Sequence, residues 1–162
     1  MELIVVIVLL GILAVSVAPR IQSSGSVVEY TYQSRLISSL RSMQQRAMND
    51  TRSGFCFQVN VFAGSNSYFG PPTLDYANSN KANTCLTSVD TSEEADHMTA
   101  SVDEMATDGV TITAGGGTIA FNSMGCPDTG AGFCANSTRV EFQGETTVAV
   151  CVESQGYIHA CD

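Results

Sequence analysis

Tryptophan is absent, and there are only two histidines, His97 and His159. Two imidazoles nearly exclude a histidine-based metalloenzyme. Basic side chains are scarce too: seven Lys and Arg face sixteen Asp and Glu, giving a formal net charge of −9. Polyanions are held by clustered cations, so no nucleic acid is expected as a partner. Six cysteines contain no CxxC pair, which disfavours zinc and thioredoxin-type chemistry. Gly115–Gly117 lacks a following GK[ST] and is expected to be a hairpin turn, not a phosphate loop. Neither histidine has a GxSxG nucleophile in its neighbourhood. No catalytic and no metal-binding constellation is therefore assigned, no cofactor is expected, and the chain is not expected to be an enzyme. The weak exception is an acidic segment, residues 90–108, carrying Asp90, Glu93, Glu94, Asp96, Asp103, Glu104 and Asp108 with no Lys or Arg among them. Its oxygens could suit calcium, but the spacing fits no EF-hand, and a solvated loop or short helix is the plainer reading.

What the chain does have is apolar sequence, 44% of 162 residues, enough for one packed domain with an appendage. The excess sits at the start. Leu3 to Ala18 reads LIVVIVLLGILAVSVA, with no charge and with Ser16 as the one polar residue. A soluble helix needs only one apolar stripe, whereas a membrane-spanning helix needs about 20 apolar residues. The run has no basic n-region before it and no small-residue cleavage site, so it is not an intact secretory signal. The sequence is expected to begin inside a processed N-terminus.

After Pro19 the apolar residues thin to a stripe: Val28, Tyr32, Leu36, Leu40, Met43 and Ala47, widened by Ile37 and Met48. Steps of three and four predict a helix to about Arg52. A continuous helix over these first ~50 residues would be about 75 Å long, more than a head of this size can cover. Gly11 and Pro19 are its weak points, and a break is expected between them. Beyond Arg52 the period changes to two. Phe55 to Phe62 reads as a strand, followed by a turn-rich stretch with Pro71 and Pro72. Val110–Thr113, Thr118–Asn122, Arg139–Phe142, Thr146–Val152 and Tyr157–His159 read as an antiparallel meander. The cysteines, Cys56, Cys85, Cys126, Cys134, Cys151 and Cys161, all lie after the helix and are even in number, which implies structural disulfides in an oxidising compartment. Fifteen pairings are open. Local pairs, Cys126–Cys134 and Cys151–Cys161 with Cys56–Cys85 as the remainder, are the expectation.

The run Glu2-Leu3-Ile4-Val5-Val6-Ile7-Val8-Leu9-Leu10-Gly11-Ile12-Leu13-Ala14-Val15, closed by Ala18-Pro19-Arg20, resembles the N-terminal signature of type IV pilins and type II secretion pseudopilins. Phe121–Pro127 and Glu153–Ile158 are similar to the strand-turn and final-hairpin motifs of GspH-like minor pilins. Arg46-Ala47-Met48 with Arg52–Cys56 most resembles the MshC-type minor pilins of the mannose-sensitive haemagglutinin (MSHA) pilus. The resemblance implies an α+β type IV pilin fold. Residues 1–25 would form a transmembrane and filament-core helix, and residues 26–162 the head, with an amphipathic helix over 26–52 and β-sheet and loops over 53–162. It implies a subunit, major or minor, of an extracellular pilus used in surface attachment. The subunit would be held in the inner membrane of a Gram-negative bacterium before assembly and handled by a prepilin peptidase and the pilus assembly machinery. Its N-terminus would be methylated. Partners would be further copies or other pilins. Glu2 would recruit and register each subunit, with Gly11 and Pro19 shaping the assembly helix. Alternatives are a type II pseudopilin or a membrane-tethered periplasmic binding module. A simple anchor has no use for a carboxylate at the membrane face, which favours the filament.

Overall fold

A computed structural model describes residues 4–9, 11, 25–92 and 95–161. Residues 4–9 and Gly11 are helical. Glu2, Pro19 and the expected break between Gly11 and Pro19 lie outside the described residues. Among the described residues no helix is long and apolar enough to cross a membrane.

The head has an α+β architecture: one long helix, then antiparallel sheet. Helix α1 spans Gly25–Asn49. The predicted stripe is its buried face: Tyr32, Leu36, Leu40, Met43 and Ala47 are all 2% exposed or less. Val28 and Ile37 pack at its margin, but Met48 is exposed. The helix stops before the expected Arg52 because Asp50 turns the chain. Its carboxylate accepts the backbone N–H of Arg52 at 3.1 Å and the Arg52 guanidinium at 2.5 Å, an Asx-type turn that competes with helix.

The strands form two four-stranded sheets where one meander was expected. The first comprises β1 (Gln58–Phe62), β2 (Tyr68–Gly70), β4 (Gly117–Phe121) and β5 (Pro127–Asp128), in the order β2-β1-β4-β5. The second comprises β3 (Thr111–Ala114), β6 (Thr138–Gln143), β7 (Thr147–Val152) and β8 (Ile158–Cys161), in the order β3-β6-β7-β8. Only β6-β7-β8 is a true meander. Gly115–Gly117 is accordingly not a hairpin turn, since β3 pairs with β6 and β4 with β1. It carries the chain between sheets past β6 so closely that a Cβ on Gly115 would stand 2.1 Å from the Arg139 carbonyl oxygen, at φ +82°. An isolated bridge from Gly64 to Ile112 joins the sheet edges.

Helix α1 packs on strands of both sheets, and polar side chains fix it there. Gln33 donates to the Ala149 carbonyl at 2.6 Å and Arg41 to that of Ile158 at 2.9 Å. Gln44 donates to the Gly125 and Gly156 carbonyls at 2.8 and 2.6 Å. That clip brings two turns together so tightly that Gly156, at φ +91°, has no room for a Cβ beside the Gly125 oxygen. Disulfides join Cys56–Cys85, Cys126–Cys134 and Cys151–Cys161, the pairs between sequence neighbours.

Other sequence boundaries shift for identifiable reasons. The first strand begins at Gln58, not Phe55, because the Cys56 N–H turns to the Thr84 hydroxyl at 3.0 Å. Strand β2 lies in the stretch read as turns, and its Phe69 is fully buried. The last strand starts at Ile158, leaving Tyr157 in the turn and 65% exposed.

Candidate assembly surface

Ile4, Val5, Val6, Ile7, Val8 and Leu9 are six consecutive apolar residues on a helix, each 53–64% exposed. A helix with a single solvent face would place polar residues there. Here all sides are apolar. Such a surface calls for lipid or other apolar helices around it.

The start of α1 is an acidic neighbourhood. Helix α2 (Val102–Thr107) lies within the segment read as a loop or short helix. Ser101 caps it by accepting the Glu104 N–H, and Asp103 and Glu104 sit in its first turn, where the helix dipole favours negative charge. Two carboxylates of this segment are engaged with α1. Glu104 pairs with Arg35 at 2.5 Å, and Asp108 accepts the Tyr32 hydroxyl at 2.6 Å. Burial, then the Asp108 hydrogen bond, push the Tyr32 phenol well above its ordinary value. Asp90 accepts the Ser92 N–H. Glu93 and Glu94 lie outside the described residues. Among the described residues no three His, Cys, Asp or Glu side chains group as a metal site. An open groove of about 410 Å³ along this stretch of α1 brings His97 and Asp96 near Ser34, Arg35 and Ser38. The Ser34 hydroxyl donates to the Thr31 carbonyl at 2.9 Å. His159, at the far hairpin, lies 3.3 Å from Glu153 and stacks on Tyr157.

Sequence reasoning missed the buried carboxylate of Glu29, 1% exposed. One oxygen accepts the Thr146 N–H at 2.9 Å in the β6–β7 turn, and Oε2 has no partner. Gly144 leaves room for it: a Cβ there would meet Oε1 at once. The signal was available, since Glu29 lies one residue from Val28 on the apolar side of the helix.

The end of α1 is aromatic. Phe55, Phe57, Phe121 and Phe133 line an open cavity of about 400 Å³ with Ala47, Asp50 and Arg52. Phe133 stands 49% exposed on the loop closed by Cys126–Cys134, and Met124 and Met48 are 72% and 46% exposed. The loop is stiffened by Asp128, whose carboxylate accepts the Gly130 and Gly132 N–H groups, both at 2.9 Å. Cations lie on the neighbouring rings: Arg52 4.0 Å from the Phe55 centroid and Arg46 4.7 Å from that of Tyr76. Burial pushes the Tyr76 phenol up to about 12.

No protein-family model matches the chain, and no curated protein matches it. Among solved structures it is similar to the type IV minor pilin FimU of Pseudomonas aeruginosa strain PAO1. The TM-score is 0.48 and the identity 8%, over 80% of this chain and 90% of that one.

Proposed function

We propose that this chain is a structural subunit of a type IV pilus-like filament, built by packing its apolar N-terminal helix against those of other subunits. The observation that carries the reading is the six-residue helical surface of Ile4 to Leu9, apolar on every side and more than half exposed. It is followed by a head whose own core is already complete on α1. A self-sufficient head has no structural need of a second, uncovered apolar helix. A filament does, because burial of such surface at about 25 cal/mol per Å² makes a bundle of rods durable. The three disulfides suit a head that forms the outer wall under oxidising conditions.

In this reading the subunit waits in the inner membrane, is processed by a prepilin peptidase, and is extracted by the assembly machinery into an extracellular pilus of the MSHA type that serves attachment. Glu2 is the lone charge beside the apolar run. A carboxylate at that depth is costly unless paired, and the amino terminus of an adjoining subunit is the natural partner. Glu2→Ala should insert in the membrane and fail to polymerise, as seen by filament yield in electron micrographs. A membrane-tethered binding module would be indifferent to that change, so undiminished yield, or discrete particles from the unaltered chain, would count against the filament.

A further inference from the structure

The methionines of the head divide by exposure. Met43, Met98 and Met105 are 0%, 5% and 1% exposed, and the Tyr76 hydroxyl lies 3.2 Å from the Met43 sulfur. Met48 and Met124 are 46% and 72% exposed. A thioether is oxidised only where the oxidant can reach its sulfur, so these two are open to attack and the other three are covered. The two open ones differ in what surrounds them.

Met48 sits at the Gln44 clip. A Cβ on Gly125 would stand 3.0 Å from the Met48 sulfur and 3.4 Å from Gln44 Nε2, so thioether and amide close on the same point of that turn. The amide nitrogen has two hydrogens and donates to two carbonyls, Gly125 at 2.8 Å and Gly156 at 2.6 Å. Gly125 lies between β4 and β5, and Gly156 between β7 and β8. One side-chain amide thus ties the end of α1 to a turn of each sheet. Both glycines are buried, so a carbonyl that loses this donor is not freely rehydrated. A thioether is only a weak acceptor and leaves the Gln44 hydrogens to the carbonyls. A sulfoxide at the same place is polar and presents an oxygen to them.

We propose that Met48 is a modification site for peroxide, and that its sulfoxide opens the Gln44 clip. One oxygen of hydrogen peroxide bonds to the sulfur lone pair as the O–O bond breaks. The other leaves as water with both protons, so the thioether is oxidised by two electrons and the peroxide is reduced. The new oxygen competes with the Gly125 and Gly156 carbonyls for the Gln44 N–H groups, and the two turns lose their tie to α1. The core beneath stays packed, because its own methionines are covered. Methionine sulfoxide is enzymatically reducible, so the change can be reversed. None of this depends on the filament reading; only access of an oxidant to this end of α1 is required.

The test is graded hydrogen peroxide treatment of the full chain in detergent, read by peptide mass spectrometry and amide hydrogen exchange. Met124 and Met48 should each gain one oxygen before Met43, Met98 or Met105 does. The Gly125 and Gly156 N–H groups donate within their turns to the Asn122 and Glu153 carbonyls at 2.9 and 2.8 Å. Both should then exchange about 5–30-fold faster, the range for losing two neutral hydrogen bonds, while the amides of β6 and β7 keep their protection. Met48→Leu should take up oxygen at Met124 and keep both turns protected, and Met124→Leu should behave as the parent does. Met48→Gln places a fixed polar group at the site and should quicken both amides without peroxide. A Met48 sulfoxide that leaves both amides as protected as before would overturn the proposal. So would turns of Met48→Leu that loosen in peroxide as much as those of the parent, or a Met48 that stays reduced until the buried methionines oxidise.

Discussion

Residues 4–9 and α1 share helical geometry and abundant apolar residues, yet their fates are opposite. Ile4 to Leu9 are each more than half exposed, while Tyr32, Leu36, Leu40 and Met43 are at most 1% exposed. The difference lies in periodicity. Where apolar residues return every three or four positions, one sheet-packed face covers them and the chain satisfies itself. Where they fill every position, no single neighbour can cover them all. The first stretch is a demand on other molecules. The second is the spine of the head.

Truncations in each stretch should separate these roles most sharply. Leu40→Ala should cost the head about 2–5 kcal/mol of unfolding free energy by denaturant titration, the usual range for a buried leucine. Ile7→Ala should leave that free energy within about 0.5 kcal/mol, as for exposed positions, and instead lower filament yield. A large loss of head stability from Ile7→Ala would break the comparison.

The staples belong to the self-covered part. Replacing both cysteines of the 29-residue Cys56–Cys85 loop by serine should cost about 3–4 kcal/mol. Removing the 8-residue Cys126–Cys134 loop should cost about 2–3 kcal/mol by the same loop-length dependence. Calorimetry of the two variants ranks them. An inverted order would show that loop closure is not what these bonds contribute.

Next in size is Glu29, which anchors the start of the buried face to the β6–β7 turn. Glu29→Ala strands the Thr146 N–H and should destabilise by about 1–3 kcal/mol. Glu29→Gln keeps that acceptor and removes a charge whose second oxygen has no partner, so it should cost less than the alanine variant. Equal losses from both would mean that the carboxylate itself is needed. Breaking the half-exposed Arg35–Glu104 pair by Glu104→Gln should matter less, about 0.2–1 kcal/mol, and less still in high salt.

The smallest effect is at the end of α1. The Arg52 guanidinium beside Asp50 holds its carboxyl down to about 2, below the usual 3.8. A depressed carboxylate favours the folded state above its unfolded value, and that contribution fades as pH falls through the folded one. Asp50→Asn should therefore differ slightly from the parent at pH 5 and become indistinguishable near pH 2. Acid denaturation curves that stay parallel to pH 2 would contradict the assignment.

Much of this comparison was legible in the sequence. The stripe from Tyr32 to Ala47 needs only helix periodicity, and strands β6, β7 and β8 announce themselves by β-branched residues between glycines. Less legible were features set by distant backbone. Gln58 and Asn60 alternate with apolar neighbours and so read as a solvent face. Both are buried, because their amides donate to the carbonyls of Leu86 and Ser88 in an overlying loop. The division into two sheets was hidden for a similar reason. Gly115–Gly117 has hairpin composition, and only the proximity of β6 shows that it crosses instead. Of the assembly surface, the apolar run was plain, whereas the phenylalanine cavity assembles residues from 47 to 133 that no local pattern links.

The most direct measurement is a side-chain-resolution map of assembled material from the unaltered chain. The account predicts a helical filament in which Ile4 to Leu9 of each copy pack against the same stretch of neighbouring copies, with the disulfide-bonded heads outside. Discrete particles, or filaments joined through their heads while residues 4–9 face solvent, would contradict it.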